Sequence, residues 1–224
     1  YSLKRLKGLK KVLYKFFWLY LPIKRSAKIL TISESVKKEI CKIFKINKDK
    51  IKVIPCSVSE IFKTKYKRIN FNNLNILFIG TAENKNLHRV LSALKGLKVK
   101  IIIIGEINDE HKKLIKKNKI IYQNFLNQTQ KQIYNHYVKS DILLYPSIYE
   151  GFGIPIIEAQ SVGRLVITSS NLKNIAGNGA IYVNPLSVND IRKKMSKLMK
   201  NNYKTTEIIK FGSKNLKRYK LKDI

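Results

Sequence analysis

The stretch Tyr149–Ala159, YEGFGIPIIEA, sets two carboxylates, Glu150 and Glu158, around a loop with two glycines and a proline. Pro155 suits the first turn of a helix, where a missing N–H costs nothing. The start of such a helix offers unpaired N–H groups and a partial positive charge. Gly151 and Gly153 let the backbone come close to a ligand. Together these features make a cradle for a diphosphate. Neither glutamate can bond to a phosphate, because all the parties are anionic, but both can accept from sugar hydroxyls. The spacing puts Glu158 in the first helical turn, pointing back toward the same mouth. Spacing alone leaves other readings open. Glu158 can simply complement the helix dipole while the glycines form an ordinary turn. A glycosidase pair needs its carboxylates facing each other across a sugar, and nothing in the sequence sets that separation.

The elements that must position this loop follow a regular rhythm from Asn75 onward. Apolar runs at NILFIG, VKIIIIG, KIIY, DILLYPS, RLVITS and GAIYVN read as strands. Between them lie helical patterns near 86–96 and 109–117, from Thr129, from Pro155 and from Ser187, with a last polar helix over 203–217. Thr129 with Gln132 makes a capping box, and Ser187 with Asp190 opens its helix in the same way. Continuous apolar strands alternating with helices predict a doubly wound parallel sheet. In such sheets ligands bind beyond the carboxyl ends of the strands, and the strand 141–147 points at the glutamate loop.

The N-terminal quarter reads differently. Residues 1–21 form a basic amphipathic helix, with Leu3, Leu6, Leu9, Leu13, Phe16, Phe17 and Tyr20 at spacings of three and four. Pro22 ends that pattern. AKILTIS (27–33) reads as a buried strand, Ser33 caps a helix carrying Val36, Ile40, Ile43 and Phe44, and KVIP (52–55) is another short strand. Residues 57–73 lose periodicity and read as a linker.

The chain has 224 residues, 46 Lys+Arg against 14 Asp+Glu, and a formal charge of +32. That charge calls for an anionic partner, which can be nucleic acid, a membrane surface or a phosphorylated substrate. Abundant lysine, isoleucine and asparagine also fit compositional drift. Cys41 and Cys56 show neither metal spacing nor a paired framework. His88, His111 and His136 are scattered without metal partners. No apolar run approaches the roughly 18 residues of a membrane span. The Lys–aromatic interleaving in 10–20 keeps helical spacing, which favours packing over base stacking and makes nucleic acid an unfavoured partner.

The segment YPSIYEGFGIPIIEAQSVGRLVITSS resembles the signature of the retaining glycosyltransferases of family 4, in which a glutamate, seven residues and a second glutamate bracket a Gly-Phe-Gly loop. AKILTISESVKKEI, KIKVIPCSVSEIF, LFIGTAENKNL and GAIYVNPLSVNDIRKKM resemble further segments of that family, so the similarity covers most of residues 26–200. The resemblance implies a GT-B fold of two Rossmann-like α/β domains, here with the second complete and the first truncated. It implies residues 1–57 as a remnant of the acceptor domain, 58–73 as linker, 74–200 as donor-binding domain and 201–224 as a C-terminal helix and tail. The donor is a nucleotide-sugar, a UDP- or GDP-sugar acting as substrate. No cofactor and no metal are implied.

By position, Lys85 contacts the donor diphosphate, Glu158 binds the ribose hydroxyls and Glu150 sits beside the transferred sugar, Lys85 and Glu150 being the catalytic pair. Gly80, Thr81, Gly151, Phe152, Gly153 and Ile154 complete the donor site, the amides of 152–154 touching sugar or phosphate, and backbone near Asn124–Leu126 borders the base. The family often has arginine after the glycine of the phosphate turn. Here Gly80–Thr81 leaves Lys85 as the main cation, and Cys56–Ser57 replaces the usual Asn-Gly. The acceptor implied is a glycan or lipid-linked molecule, with the protein expected in the cytoplasm. The basic amphipathic pattern of residues 1–21 fits docking on an anionic membrane surface and equally a domain helix that buries its apolar face. The competing reading is a basic membrane- or nucleic-acid-binding protein, or an inactive fragment, with a vestigial donor fold.

Overall fold

The computed structural model describes residues 8–219. Residues 1–7 of the expected first helix, and the last five of the expected tail, lie outside the described residues. The chain divides into two compact units at Cys56/Ser57.

The first unit carries α1 (Gly8–Lys15), a π-helical turn (Phe16–Tyr20), α2 (Leu21–Arg25), β1 (Ile29–Thr31), α3 (Glu34–Phe44) and β2 (Ile51–Val53). Pro22 does not end the first helix, contrary to the sequence expectation. The π turn shifts the bonding so that the Leu21 N–H reaches the Phe16 carbonyl, and Pro22 falls in the opening turn of α2, where its missing N–H is tolerated. The strand expected to be buried is largely open, with Leu30 62% exposed. β1 and β2 pair in parallel as a two-stranded sheet, Ile29 opposite Ile51. Ser33 caps α3 as its type predicts, its Oγ accepting from the Val36 N–H at 3.2 Å.

The second unit is built on β3 (Leu74–Ile79), β4 (Val99–Ile104), β5 (Ile121–Phe125), β6 (Ile142–Tyr145), β7 (Leu165–Ser169) and β8 (Ile181–Val183). Its helices are α4 (Leu87–Ala93), α5 (Asp109–Asn118), α6 (Gln130–Lys139), α7 (Ile154–Val162), α8 (Lys173–Ala176), α9 (Val188–Met199) and α10 (Thr205–Asn215). All six strands are parallel, in the order β5-β4-β3-β6-β7-β8. Counted from the first strand of this unit, that is 3-2-1-4-5-6, the doubly wound order. Helices α4, α5 and α9 pack as one group, and α6, α7, α8 and α10 as another.

Covering a sheet on both sides is why its strands are apolar without alternation. Ile76, Phe78, Ile101, Ile103, Ile142 and Leu144 are each fully buried. Each such side chain contributes about 1.5–3 kcal/mol relative to an exposed one. The capping box at Thr129 forms, with the Thr129 N–H on Gln132 Oε1 at 2.8 Å, and the Asp190 N–H bonds to Ser187 Oγ at 3.1 Å. The order of strands reverses between β3 and β6, so the crevice past their carboxyl ends is where the fold leaves room for a ligand.

Candidate functional site at the switch point

β3 ends at Ile79 and runs into Gly80, Thr81 and a 3-10 turn, Glu83–Lys85. Gly80 has φ +85°, and a Cβ there would lie 3.1 Å from Cγ and Cε of Lys85. The glycine therefore makes room for the lysine stem, which lies across it toward β6. Asn86, fully buried at φ +71°, fixes the far end of this turn. Its Nδ2 donates to the carbonyls of Pro146 (3.0 Å) and Pro185 (2.6 Å), and its Oδ1 accepts from Arg89. Asn84 ties the same turn to the loop after β6. Its side chain donates to the Tyr149 carbonyl at 2.9 Å, and its carbonyl accepts from the Ile148 N–H at 2.8 Å.

These ties bring Lys85 to Glu150. The ammonium lies 2.6 Å from Glu150 Oε1 and 2.6 Å from the Tyr145 hydroxyl, which itself donates to Glu150 Oε1 at 2.7 Å. The Tyr145 ring lies under the same nitrogen, 4.9 Å from its centroid, adding a cation–π contact. Burial, then the Glu150 charge and hydrogen bond, push the Tyr145 phenol far above its ordinary range, so it stays a hydrogen-bond donor at every physiological pH.

Gly153 takes φ +101° and α7 begins immediately after it. Glu158 is therefore the fifth helical residue, one position further along than the sequence suggested and just past the first turn. The glycine completes the loop in a conformation that cannot propagate as helix, which moves the helix start to Ile154. From that position Glu158 Oε2 meets the Tyr137 hydroxyl at 2.9 Å, and that hydroxyl also lies 3.0 Å from the Pro155 carbonyl. Burial holds the Glu158 carboxyl above its usual pKa, with the Tyr137 hydrogen bond pulling the other way. Glu158 in turn contributes to the raised pKa of Tyr145, so the two pairs share one electrostatic neighbourhood.

Among the described residues, the N–H groups of Phe152, Gly153 and Ile154 donate to no protein acceptor. The Phe152 ring is buried, packed edge-on against Tyr219 at 5.6 Å. Tyr219 anchors to the Ile175 carbonyl at 3.0 Å, so the C-terminal segment supports the glycine loop from behind. Thr81 sits against Gly105, where a Cβ would come within 3.0 Å of its Oγ1. Asn124, at the end of β5, donates to the carbonyls of Ile103 and Gly105 at 3.1 and 2.7 Å, which turns its side chain inward.

The sequence singled out Lys85, Glu150 and Glu158 but neither tyrosine. A phenol at the end of an apolar strand, or on a helix face, reads as an ordinary core aromatic. Only its polar partners set it apart, and these lie on other elements, 5 to 60 positions away. His111 and His136 are buried packing residues, with burial holding both imidazoles below their usual pKa. No helix among the described residues is long and apolar enough to cross a membrane.

A parallel sheet in this order, with a cation, two carboxylates and open amides at its switch point, defines the second unit as a doubly wound α/β domain. Residues 60–215 match the family described as Glycosyl transferases group 1, and the chain belongs to that family. It is 33% identical over 193 residues to the O-antigen chain mannosyltransferase RfbU of Salmonella typhimurium, covering 79% of this chain and 52% of that protein. It is 29% identical over 175 residues to an uncharacterized glycosyltransferase of Methanocaldococcus jannaschii, covering 67% of this chain and 44% of that one. The chain thus spans about half the length of these curated relatives.

The crystal structure of a glycosyltransferase from Rickettsia africae shares the fold at TM-score 0.75 and 24% identity, over 92% of this chain and 62% of that one. Anabaena HepE in complex with UDP-glucose does so at TM-score 0.76 and 14% identity, over 89% and 61%. The architecture is that of the GT-B glycosyltransferases.

Proposed function

We propose that the chain is the donor-binding part of a retaining glycosyltransferase that moves a sugar from a UDP- or GDP-sugar to a glycan or lipid-linked acceptor. The observation that carries this reading is the meeting of Lys85, Glu150 and Tyr145 beside the open 152–154 amides, at the point where the strand order reverses. The amides and Lys85 take the diphosphate, with Gly80 and Thr81 lining its turn. Positive charge there stabilises the departing nucleoside diphosphate, a contribution that can be the largest in such a reaction. Glu158 accepts from the ribose hydroxyls, and Glu150 lies beside the transferred sugar. The site as read assigns no role to a metal or cofactor.

Calorimetry with UDP-glucose and GDP-mannose tests the reading. Glu158→Ala should weaken binding about tenfold, the effect of losing a hydrogen bond to a charged group. Wild-type affinity in that variant would remove Glu158 from the donor site.

The mannosyltransferase names of two relatives, of Salmonella and of Escherichia coli, favour a role in surface-polysaccharide assembly. Residues 1–57 are read as the closing elements of an acceptor-binding half, joined to 74–200 through 58–73. Their exposed apolar groups, among them Leu9, Phe16, Leu30 and Ile43, are what the rest of such a half would cover. A second reading is favoured by the basic character of the same helix. Leu9, Val12, Phe17 and Trp18 are between 58% and 72% exposed, with no acidic residue before Glu34. That combination suits a helix lying on an anionic lipid surface, with the protein peripheral on the cytoplasmic side.

A further inference from the structure

Glu158 holds a carboxylate in a partly buried position, which costs free energy unless a donor directs it. The donor comes from α6. Tyr137 is wholly buried, and its hydroxyl bridges Glu158 Oε2 and the Pro155 carbonyl in the first turn of α7. The hydroxyl therefore fixes the carboxylate relative to the same helix start that presents the open amides. A phenylalanine would fill this space equally well, so the hydroxyl has its use at its two acceptors, Glu158 and the Pro155 carbonyl, and a double-mutant cycle separates the two.

The Tyr137 ring is held in turn by the segment before β3. Phe62 is 3% exposed although it lies in irregular chain, and it meets Tyr137 edge-on at 5.8 Å and Tyr134 at 6.2 Å. Around it the chain is fastened to the end of α7. Ser161 Oγ donates to the Phe62 carbonyl, Thr64 Oγ1 to the Ser161 carbonyl at 2.9 Å, and the Lys65 N–H to the Val162 carbonyl at 3.3 Å. Buried Arg164 closes the ring of contacts, its Nε on the Tyr137 carbonyl at 2.8 Å and its Nη2 on the Lys65 carbonyl at 2.7 Å. Residues 62–65 thus form a strap that locks α6 to α7.

We propose that Tyr137 is a positioning residue for Glu158, and that the Phe62 strap holds Tyr137 in place to act as one. The proposal rests on the reading of Glu158 as the acceptor for donor hydroxyls. A side chain that acts only through another should show its effect only while that other is present, which a double-mutant cycle measures.

The test is calorimetric titration of UDP-glucose and GDP-mannose into the full chain and its Tyr137→Phe, Glu158→Ala and doubly substituted variants. The expected result is a loss of about tenfold for Tyr137→Phe alone and no further loss when it is added to Glu158→Ala. An equal loss in both backgrounds would mean general packing damage and overturn the proposal, as would wild-type affinity in Tyr137→Phe. Wild-type affinity in Glu158→Ala would overturn the donor reading itself. The two failures are distinguishable because that variant leaves Tyr137 intact. Should Tyr137→Phe fold poorly, Phe62→Leu carries the test. It keeps the hydroxyl, loosens the ring, and should weaken binding by several-fold only in the Glu158 background. Equal weakening in both backgrounds, or none, again overturns the proposal.

Discussion

Lys85, Tyr145 and Glu150 form a closed triangle with sides of 2.6 to 2.7 Å. On the proposed donor reading, a diphosphate arriving at Lys85 must compete with the carboxylate already there. Glu150→Gln removes that competing charge, so free UDP should bind about tenfold more tightly, ~1.4 kcal/mol, while sugar transfer falls. Unchanged UDP affinity by calorimetry would mean that the phosphates do not land on Lys85. On the proposed role of Lys85, in which its charge acts on the leaving group, Lys85→Ala should lower turnover more than binding.

Glu158 adds a pH signature. Its pKa is raised by burial, so on acidification it takes a proton before an exposed glutamate does. A protonated carboxyl is a poorer acceptor, and affinity for the nucleotide-sugar should fall as pH drops toward the ordinary carboxylate value. In Glu158→Gln this limb should vanish. The sign for stability is opposite. A carboxyl with a raised folded pKa contributes its stability below the unfolded value and loses it as pH rises through the folded one. Glu158→Gln should therefore raise Tm at neutral pH, by about 2–4 °C for ~1 kcal/mol in a chain of this size, even as it weakens binding. A lowered Tm would mean that the ionised group is well compensated where it sits.

The loop between β6 and α7 depends on one backbone conformation. Gly153 at φ +101° admits side chains poorly, and a Cβ would press Ile156 Cδ1 at 3.3 Å. Gly153→Ala should cost about 1–3 kcal/mol, seen as a lower Tm, and should abolish nucleotide binding by turning the amides away. Most elements of this unit were legible in the sequence, for a physical reason. Strands covered on both faces, such as Ile101–Ile104, become unbroken apolar runs, and Thr129 and Ser187 mark helix starts through local bonds. Elsewhere the pattern carried no such mark. The π turn at Phe16–Tyr20 that accommodates Pro22 has no composition of its own. The strap is held by backbone carbonyls and one ring, so no periodicity marks it. Helix α10 packs where Gly179 and Gly212 meet, a contact so close that a Cβ on Gly179 would lie 2.3 Å from the Gly212 Cα. That closeness depends on two distant glycines and shows in neither local stretch. Within the site, the sequence identified the charged groups. It left out Tyr137, Tyr145 and Asn86, whose significance comes from partners 5 to 99 positions away.

At the scale of the molecule, the proposed lipid-surface reading puts the charge of +32 and the exposed apolar helix to work on one anionic partner. Flotation should bring the chain up with phosphatidylglycerol vesicles and leave it behind with phosphatidylcholine, and salt should weaken the attachment. Equal recovery with both lipids would remove the electrostatic part of that reading. The central claim is smaller and sharper: that amides and a lysine at one switch point hold a pyrophosphate whose sugars rest on two carboxylates. A crystal structure of the chain with UDP-glucose or GDP-mannose tests it most directly. The account predicts the diphosphate on Lys85 Nζ and on the N–H groups of Phe152–Ile154, with Glu158 on the ribose. A nucleotide bound elsewhere, with the Lys85–Glu150 pair intact and Glu158 touching only Tyr137, would contradict it.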